Sequence, residues 1–206
     1  SIVIDLSGSM GSGRAPNNSA YQAKLMAIAL GETLNALNIP FEIIGFHNPH
    51  NGYCSPASPE GFSWGRWLPF EFHVFKAFNE TYRATKQRLS GITGMQENVD
   101  GEAVLAIARR LAAREESRKI LFVLSDGVPL GGCDENKARQ HLSDVVSMIT
   151  ESGIEVFGIG AISPHVKDYY GAKQGASYIV INDINKLAVE VYKLMRSKVA
   201  SGRKVA

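Results

Sequence analysis

The chain has 206 residues, a formal net charge of +2 and hydrophobic residues at 45% of its positions, a composition typical of a globular domain with a sizeable core. No apolar run reaches the ~18 residues that a membrane span needs, and the balanced charge gives no indication of nucleic-acid binding. The cysteines, Cys54 and Cys133, belong to no CxxC or Cys/His cluster, so a disulfide framework is not indicated. We expect a cytoplasmic protein, and because the sequence begins inside a strand we expect it to be the C-terminal part of a longer chain.

Short apolar runs alternate with amphipathic segments along the chain. The apolar runs predict strands at residues 2–4, 41–46, 119–126, 154–161 and 177–182. Apolar residues at helical spacing predict helices over 19–37, around 104–111, over 135–151 and from Ile184 to Met195. This alternation indicates one α/β domain over residues 1–206, with a doubly wound, mainly parallel sheet covered by helices on both faces.

Residues 47–72 interrupt the alternation with an aromatic and proline-rich insertion loop that contains Trp64 and Trp67. A loop of this length is either functional or mobile. The following residues, 73–90, predict a helix with basic and aromatic side chains, including Arg83. Because exposed Trp and Arg are common interface residues, Trp64, Trp67 and Arg83 are candidates for binding a partner. The alternative is that both tryptophans are buried beneath the loop.

The histidines are scattered, and only His47 and His50 lie near each other in sequence. No carboxylate or cysteine joins them at the spacing expected of metal ligands. We therefore interpret this pair as part of a solvated loop.

The stretch IVIDLSGSM, residues 2–10, ends a buried strand in a carboxylate and places hydroxyls two and four residues later. Asp5, Ser7 and Ser9 alternate along an extended turn, so their oxygens can point the same way. Carboxylate and hydroxyl oxygens are hard ligands that suit Mg²⁺ or Mn²⁺. A simple Gly/Ser turn is the plain alternative, and a phosphate loop is disfavoured because the GxxxxGK[ST] pattern is absent.

A second carboxylate, Asp126, also directly follows a predicted buried strand. Ligands of doubly wound sheets bind outside the carboxyl ends of the strands. Asp5 and Asp126 are therefore expected at the same edge of the sheet, near one ion. The alternative is that each caps a helix or forms a turn.

The DLSGSM stretch resembles the DxSxS motif of von Willebrand factor A (VWA) domains, which carry a metal-ion-dependent adhesion site. The family's second loop has a Thr ligand ahead of a glycine, and the matching segment NVDGEAVLAI has Asn98 at the Thr position. The third loop of the family has an aspartate after an apolar strand, and Asp126 in LFVLSDGVP matches it. The resemblance implies a Mg²⁺ or Mn²⁺ site formed by Asp5, Ser7, Ser9, Asn98, Asp100 and Asp126.

The second loop leaves two residues open as the ligand. The spacing to Gly101 favours Asn98 as the ligand, with Asp100 supporting it from outside the first shell. Asp100 also precedes Gly101 at the start of a predicted helix, so its plain alternative role is an N-cap.

The run ENVDGEAVLAIARRLAAREESRKILFVLSDGVP is similar to one branch of this superfamily, the C-terminal VWA domain of the T subunit of ATP-dependent cobaltochelatase (the CobT family). The resemblance implies a non-catalytic domain that acts in cobalamin biosynthesis with an AAA+ ATPase and a large chelatase subunit. It also implies that an acidic side chain of a partner binds the metal, with no nucleic acid or membrane involved. The alternatives are an interaction module of another ATPase-linked machine, an exported adhesion domain, or a metal-dependent hydrolase.

Overall fold

The computed structural model describes residues 1–13, 18–49, 69–126, 129, 135–161, 164–171, 176–181 and 189–190. The predictions at Trp64 and Trp67, and most of the helix predicted from Ile184 to Met195, lie outside these residues.

Within the described ranges, strands and helices alternate as the apolar pattern predicted. The strands are β1 (Ile2–Asp5), β2 (Ile43–His47), β3 (Glu71–Lys76), β4 (Ile120–Ser125), β5 (Glu155–Ala161) and β6 (Ala176–Ile181). The helices are α1 (Ser19–Ala36), α2 (Tyr82–Thr85), α3 (Asp100–Ala112), α4 (Glu135–Glu151) and α5 (Val166–Tyr170). Two 3₁₀ segments, Gly8–Met10 and Lys86–Gly91, follow β1 and α2.

The strands form one sheet in the order β3-β2-β1-β4-β5-β6, and every pair is parallel except β2 with β3. The chain runs outward from β1 toward β2 and β3, then returns to β4 on the other side of β1. The carboxyl ends of β1 and β4 therefore flank the point where the strand order reverses, which is the usual ligand position in such sheets. The predicted doubly wound, mainly parallel α/β fold is confirmed.

Alternate residues of the central strands build a separate core on each face of the sheet. Ile2, Ile4 and Ile43 pack with buried residues of α1, whereas Val3 and Ile44 pack with buried residues of α3 and α4. Because both faces are covered, the strands read as almost continuous apolar runs. This sandwich of helices around the sheet holds the ends of β1 and β4 in fixed positions.

The predicted helix over residues 73–90 is wrong in its first part. Residues 71–76 instead form β3, which pairs antiparallel with β2 at the edge of the sheet. The sequence EFHVFK has the period of two that suits a strand, with Phe75 buried on one face and Phe72 and Val74 exposed on the other. The insertion predicted at 47–72 is consequently shorter, because residues 47, 71 and 72 belong to strands.

The segment that precedes α3 is hydrogen-bonded to the loop after β1. Gly94 N–H donates to Gly11 O at 2.7 Å, and Met95 N–H donates to Leu6 O at 2.7 Å. In return, Gly8 N–H donates to Gln96 O. These backbone bonds tie the chain just before Asn98 to the DxSxS loop, independently of any side chain.

The same segment is also tied to the end of β2. Asn48 N–H donates to Glu97 O at 2.7 Å, and Glu97 N–H donates to Asn48 O at 3.3 Å. The start of α3 is therefore held across the carboxyl ends of β1 and β2, where Asn98 and Asp100 follow directly.

Gly94 is needed for this contact, because a Cβ added to it would lie 2.5 Å from Gly11 O and 2.7 Å from Gly11 N. We expect Gly94→Ala to lower the free energy of unfolding by about 1–3 kcal/mol, since backbone must move to admit the methyl group. Gly91→Ala is the matched control, because its Cβ would meet only Phe75 Cε1 at 3.8 Å. Urea unfolding measures both variants, and equal stabilities would contradict the role assigned to Gly94.

Candidate metal centre

Asp5 is the last residue of β1 and is completely buried. Its Oδ1 accepts a hydrogen bond from Ser7 N–H at 2.8 Å, and its Oδ2 accepts one from Ser125 Oγ at 3.0 Å. The donors come from the loop after β1 and from the last residue of β4. The carboxylate is thereby oriented between the two strands that flank the reversal of strand order.

The two serines of the DxSxS stretch place their hydroxyls side by side. A 3₁₀ turn at Gly8–Met10 follows Ser7, and Ser7 Oγ lies 3.0 Å from Ser9 Oγ. An octahedral Mg²⁺ with bonds of about 2.1 Å has neighbouring ligand oxygens about 3.0 Å apart. The spacing of this hydroxyl pair therefore fits two adjacent positions of such an ion.

Asp100 is the first residue of α3 and is buried, with 2% of its surface exposed. The N-cap of α3 is Val99, whose side chain makes no capping hydrogen bond, and Asp100 is the first helical residue, so the interpretation of Asp100 as an N-cap is wrong. Its Oδ2 is buried and has no hydrogen-bond partner among the described residues. A buried carboxylate oxygen in that state is costly unless a cation or a proton satisfies it.

Asn98 lies two residues earlier and is also buried. The backbone bonds between residues 94–97 and the loops after β1 and β2 hold it at the same edge. The structure thus brings both candidate residues of the second loop to the sheet edge that carries Asp5.

Asp126 directly follows β4 and is 9% exposed. Burial, followed by the negative charge of Asp126, raises the pKa of Asp5 to about 6. The pKa of Asp100 is raised well above its usual range, chiefly by burial and to a lesser extent by the negative charges of Asp5 and Asp126. The carboxyl groups from the three predicted loops therefore lie close enough to repel one another.

The spacing of these carboxylates limits how they can share an ion. Among the described residues, they do not place one oxygen each within 4.8 Å of one another. Opposite ligands of an octahedral Mg²⁺ are only about 4.2 Å apart. As the side chains stand, at least one of the three would reach an ion through water, and Mg²⁺ commonly keeps several waters.

Sequence reasoning did not identify two residues of this centre. Ser125 positions Asp5, and its place directly before Asp126 in the SDG stretch was the available signal. Tyr170 of α5 is buried. Its pKa is raised first by burial and then by the negative charges of Asp100 and Asp5. Nothing in the local sequence around Tyr170 indicates this proximity, because α5 reaches the centre only through the packing of the fold.

The candidate partner-binding residues are placed only in part. Arg83 is exposed on α2, and its role in binding a partner stays a prediction. Trp64 and Trp67 lie outside the described residues, so their role stays a prediction.

Comparison with known solved structures supports the fold. The chain resembles an aerotolerance-related membrane protein from Bacteroides fragilis, with 16% identity, a TM-score of 0.64, and coverage of 93% of this chain and 95% of that chain. It also resembles the conserved hypothetical protein BatB from Bacteroides thetaiotaomicron, with 16% identity, a TM-score of 0.58 and 97% coverage of both chains. None of the described helices of the present chain combines the length and apolarity that crossing a membrane requires.

A curated relative matches over a similar length. The YojO protein of Bacillus subtilis (strain 168) is 22% identical over 203 residues, which is 95% of this chain. The chain spans only 29% of the length of that relative.

A family profile covers nearly all of the sequence. The profile described as "Cobalamin biosynthesis protein CobT VWA domain" matches residues 1–199. The match includes each of the three loops that carry Asp5, Asp100 and Asp126. The chain therefore belongs to the CobT VWA domain family.

Proposed function

We propose that this VWA domain is a metal-dependent protein-interaction module of a CobT-like subunit in an ATP-dependent cobaltochelatase. In this proposal it acts in the cytoplasm with an AAA+ ATPase and a large chelatase subunit that inserts cobalt into a corrin-type ring. The observation that carries the proposal is the buried group of Asp5, Asp100 and Asp126 at the reversal of strand order, in a chain of the CobT family. A module for interaction in another ATPase-linked machine would use the same site.

The proposed ion is Mg²⁺ or Mn²⁺, because every candidate ligand offers oxygen. The hydroxyls of Ser7 and Ser9 fit neighbouring positions of an octahedron, and Asp5 is held in place by Ser7 and Ser125. Once bound, the ion supplies a positive charge with exchangeable water positions, where an acidic side chain of a partner can bind.

Asp100 sets the charge of this site. Three ionised carboxylates outweigh a divalent cation by one unit, so the site binds the ion strongly but attracts a partner's acid less than a site with two carboxylates would. The unpartnered Oδ2 supports Asp100 as a direct ligand, in preference to Asn98. An ion there would satisfy the buried oxygen and offset the repulsion from Asp5 and Asp126.

We expect Mg²⁺ or Mn²⁺ to raise the melting temperature of the domain relative to EDTA, because a ligand that binds only the folded state stabilises it.

Asp100→Ala should weaken the metal affinity by at least about tenfold, and Asn98→Ala by less. Titration calorimetry measures the affinities, and Asp144→Ala serves as a control carboxylate on the exposed face of α4. A larger loss for Asn98→Ala than for Asp100→Ala would instead make Asn98 the ligand of the second loop.

The metal-free domain should lose stability as the pH rises. A carboxyl whose pKa is higher in the folded than in the unfolded chain binds protons more tightly when folded, so the free energy of unfolding falls between the two pKa values. For Asp5 this window runs from 3.8 to about 6, which corresponds to a loss on the order of 3 kcal/mol. Asp100 contributes in the same direction, because its pKa is also raised in the folded chain.

Urea unfolding in EDTA between pH 4.5 and about pH 8 measures this effect. Asp5→Asn removes this titrating group and also its charge from the neighbourhood of Asp100, so the pH dependence should become shallower. Saturating Mg²⁺ should also flatten it for the unchanged chain, since the ion stabilises the ionised carboxylates. Equal pH dependence of the chain and of Asp5→Asn would show that Asp5 is not perturbed as described.

The interaction role makes a separate prediction. The domain alone should neither hydrolyse ATP nor insert cobalt. Asp5→Ala in the full subunit should fold normally but lose ATPase binding in a pull-down and lose chelation in the reconstituted complex. Asp144→Ala should retain both. Full activity of the Asp5→Ala complex would assign the metal a structural role and place docking elsewhere on the surface.

A further inference from the structure

A second group of potential metal ligands lies on the outer strand pair of the sheet. His47 ends β2, and Glu71 and His73 lie in β3. The register pairs His47 with Glu71 and Gly45 with His73. Because residues two apart in a strand share a face, all three side chains stand on the same face of the β2–β3 pair.

The ligand atoms of these side chains converge on one carboxylate oxygen. His47 Nε2 lies 3.5 Å from Glu71 Oε2, and His73 Nε2 lies 4.0 Å from the same atom. One ligand atom from each residue lies within 4.8 Å of the other two. A tetrahedral ion with bonds of about 2.0–2.1 Å has its ligands about 3.3 Å apart, so small side-chain rotations would close this cluster around an ion.

Direct hydrogen bonding does not account for the arrangement. His73 Nε2 is buried and has no hydrogen-bond partner within the described ranges, and 4.0 Å is too long for a bond to Glu71. The side chain of His47 is 7% exposed, and its Nδ1 is likewise without a hydrogen-bond partner there. Two imidazoles with rings 5.1 Å apart thus flank a carboxylate without a hydrogen bond to join them.

We propose that His47, Glu71 and His73 bind one divalent transition-metal ion of the zinc type. Two imidazole nitrogens and one carboxylate suit Zn²⁺ and its first-row neighbours, whereas Mg²⁺ prefers oxygen ligands alone. Three protein ligands leave a fourth position for water. Glu71 is the most exposed of the three, which leaves the ion a route to solvent.

This site is distinct from the carboxylate centre. Within β2, His47 shares its face with Ile43 and Gly45, which pack toward the α1 side of the sheet. Within β1, Asp5 shares its face with Val3, which packs toward α3 and α4. The two centres therefore lie on opposite faces of neighbouring strands, and no candidate ligand belongs to both.

The ion would join the two ends of the long connection between β2 and β3. His47 precedes residues 48–70 and Glu71 follows them, so coordination closes this loop and fixes the edge strand to β2. Closure of a long loop by a metal stabilises the folded chain against the unfolded one.

The test uses the chain in buffer with excess Mg²⁺, so that the carboxylate centre does not compete for the probe. Zn²⁺ titration should show one site and raise the melting temperature, and Co²⁺ should give the visible absorption of a tetrahedral ion. Glu71→Gln and His73→Ala should each weaken Zn²⁺ binding by more than about tenfold.

Two controls separate this site from other binding. His165→Ala removes a half-exposed histidine that faces Asp168 elsewhere on the surface, and Asp5→Asn alters the carboxylate centre. Both variants should bind Zn²⁺ like the unchanged chain. Zn²⁺ binding that survives Glu71→Gln and His73→Ala, or that is lost equally in His165→Ala, would overturn the proposal, as would the absence of any Zn²⁺-dependent rise in melting temperature.

Discussion

The mutual repulsion of buried carboxylates at one edge of the sheet is the constraint on which the rest of the site depends. Asp5 and Asp100 are both buried, and Asp126 is nearly so. Burial and the charges of neighbouring carboxylates raise the pKa values of Asp5 and Asp100. A fold that holds such groups together without a cation carries an energetic cost, because charge in a poorly solvated position is expensive. Hydrogen bonds from Ser7 and Ser125 offset part of this cost for Asp5.

The sheet topology explains how carboxylates distant in sequence come to share this position. β1 lies between β2 and β4, all three strands are parallel, and their carboxyl ends meet at one edge. α3 begins with Asp100 at the same edge, and the partial positive charge of its N-terminus favours an anion there. The backbone bonds of residues 94–97 then hold this helix start against the loops after β1 and β2. The position of Asp100 thus depends on main-chain contacts more than on its own side chain.

The two faces of the same sheet offer different chemistry to metal ions. The α3 side gathers oxygen ligands, which match the proposed Mg²⁺ or Mn²⁺ and an interaction role. The α1 side gathers His47, Glu71 and His73 across an antiparallel strand pair, which matches a zinc-type ion. Because alternate residues of a strand point to opposite faces, neighbouring strands can carry both groups without mixing their ligands.

The sequence by itself determined the α/β class, the bounds of α4, and the DxSxS, NVDG and SDG loops, because these depend on local periodicity and on motifs a few residues long. It also placed Asp5 and Asp126 at one edge, since parallel strands all end there. It did not identify β3, because a strand at the edge of a sheet is recognised by the partner it pairs with, and EFHVFK lies beside residues that favour a helix. The interpretation of His47 as part of a solvated loop is wrong for the same reason, because Glu71 and His73 are distant in the chain and only the antiparallel register brings them to it. Tertiary structure alone decided that Asp100 is buried, that its Oδ2 has no hydrogen-bond partner in the part of the chain that the structure describes, and that it does not cap its helix. Burial and hydrogen bonding depend on segments that meet only in the folded chain.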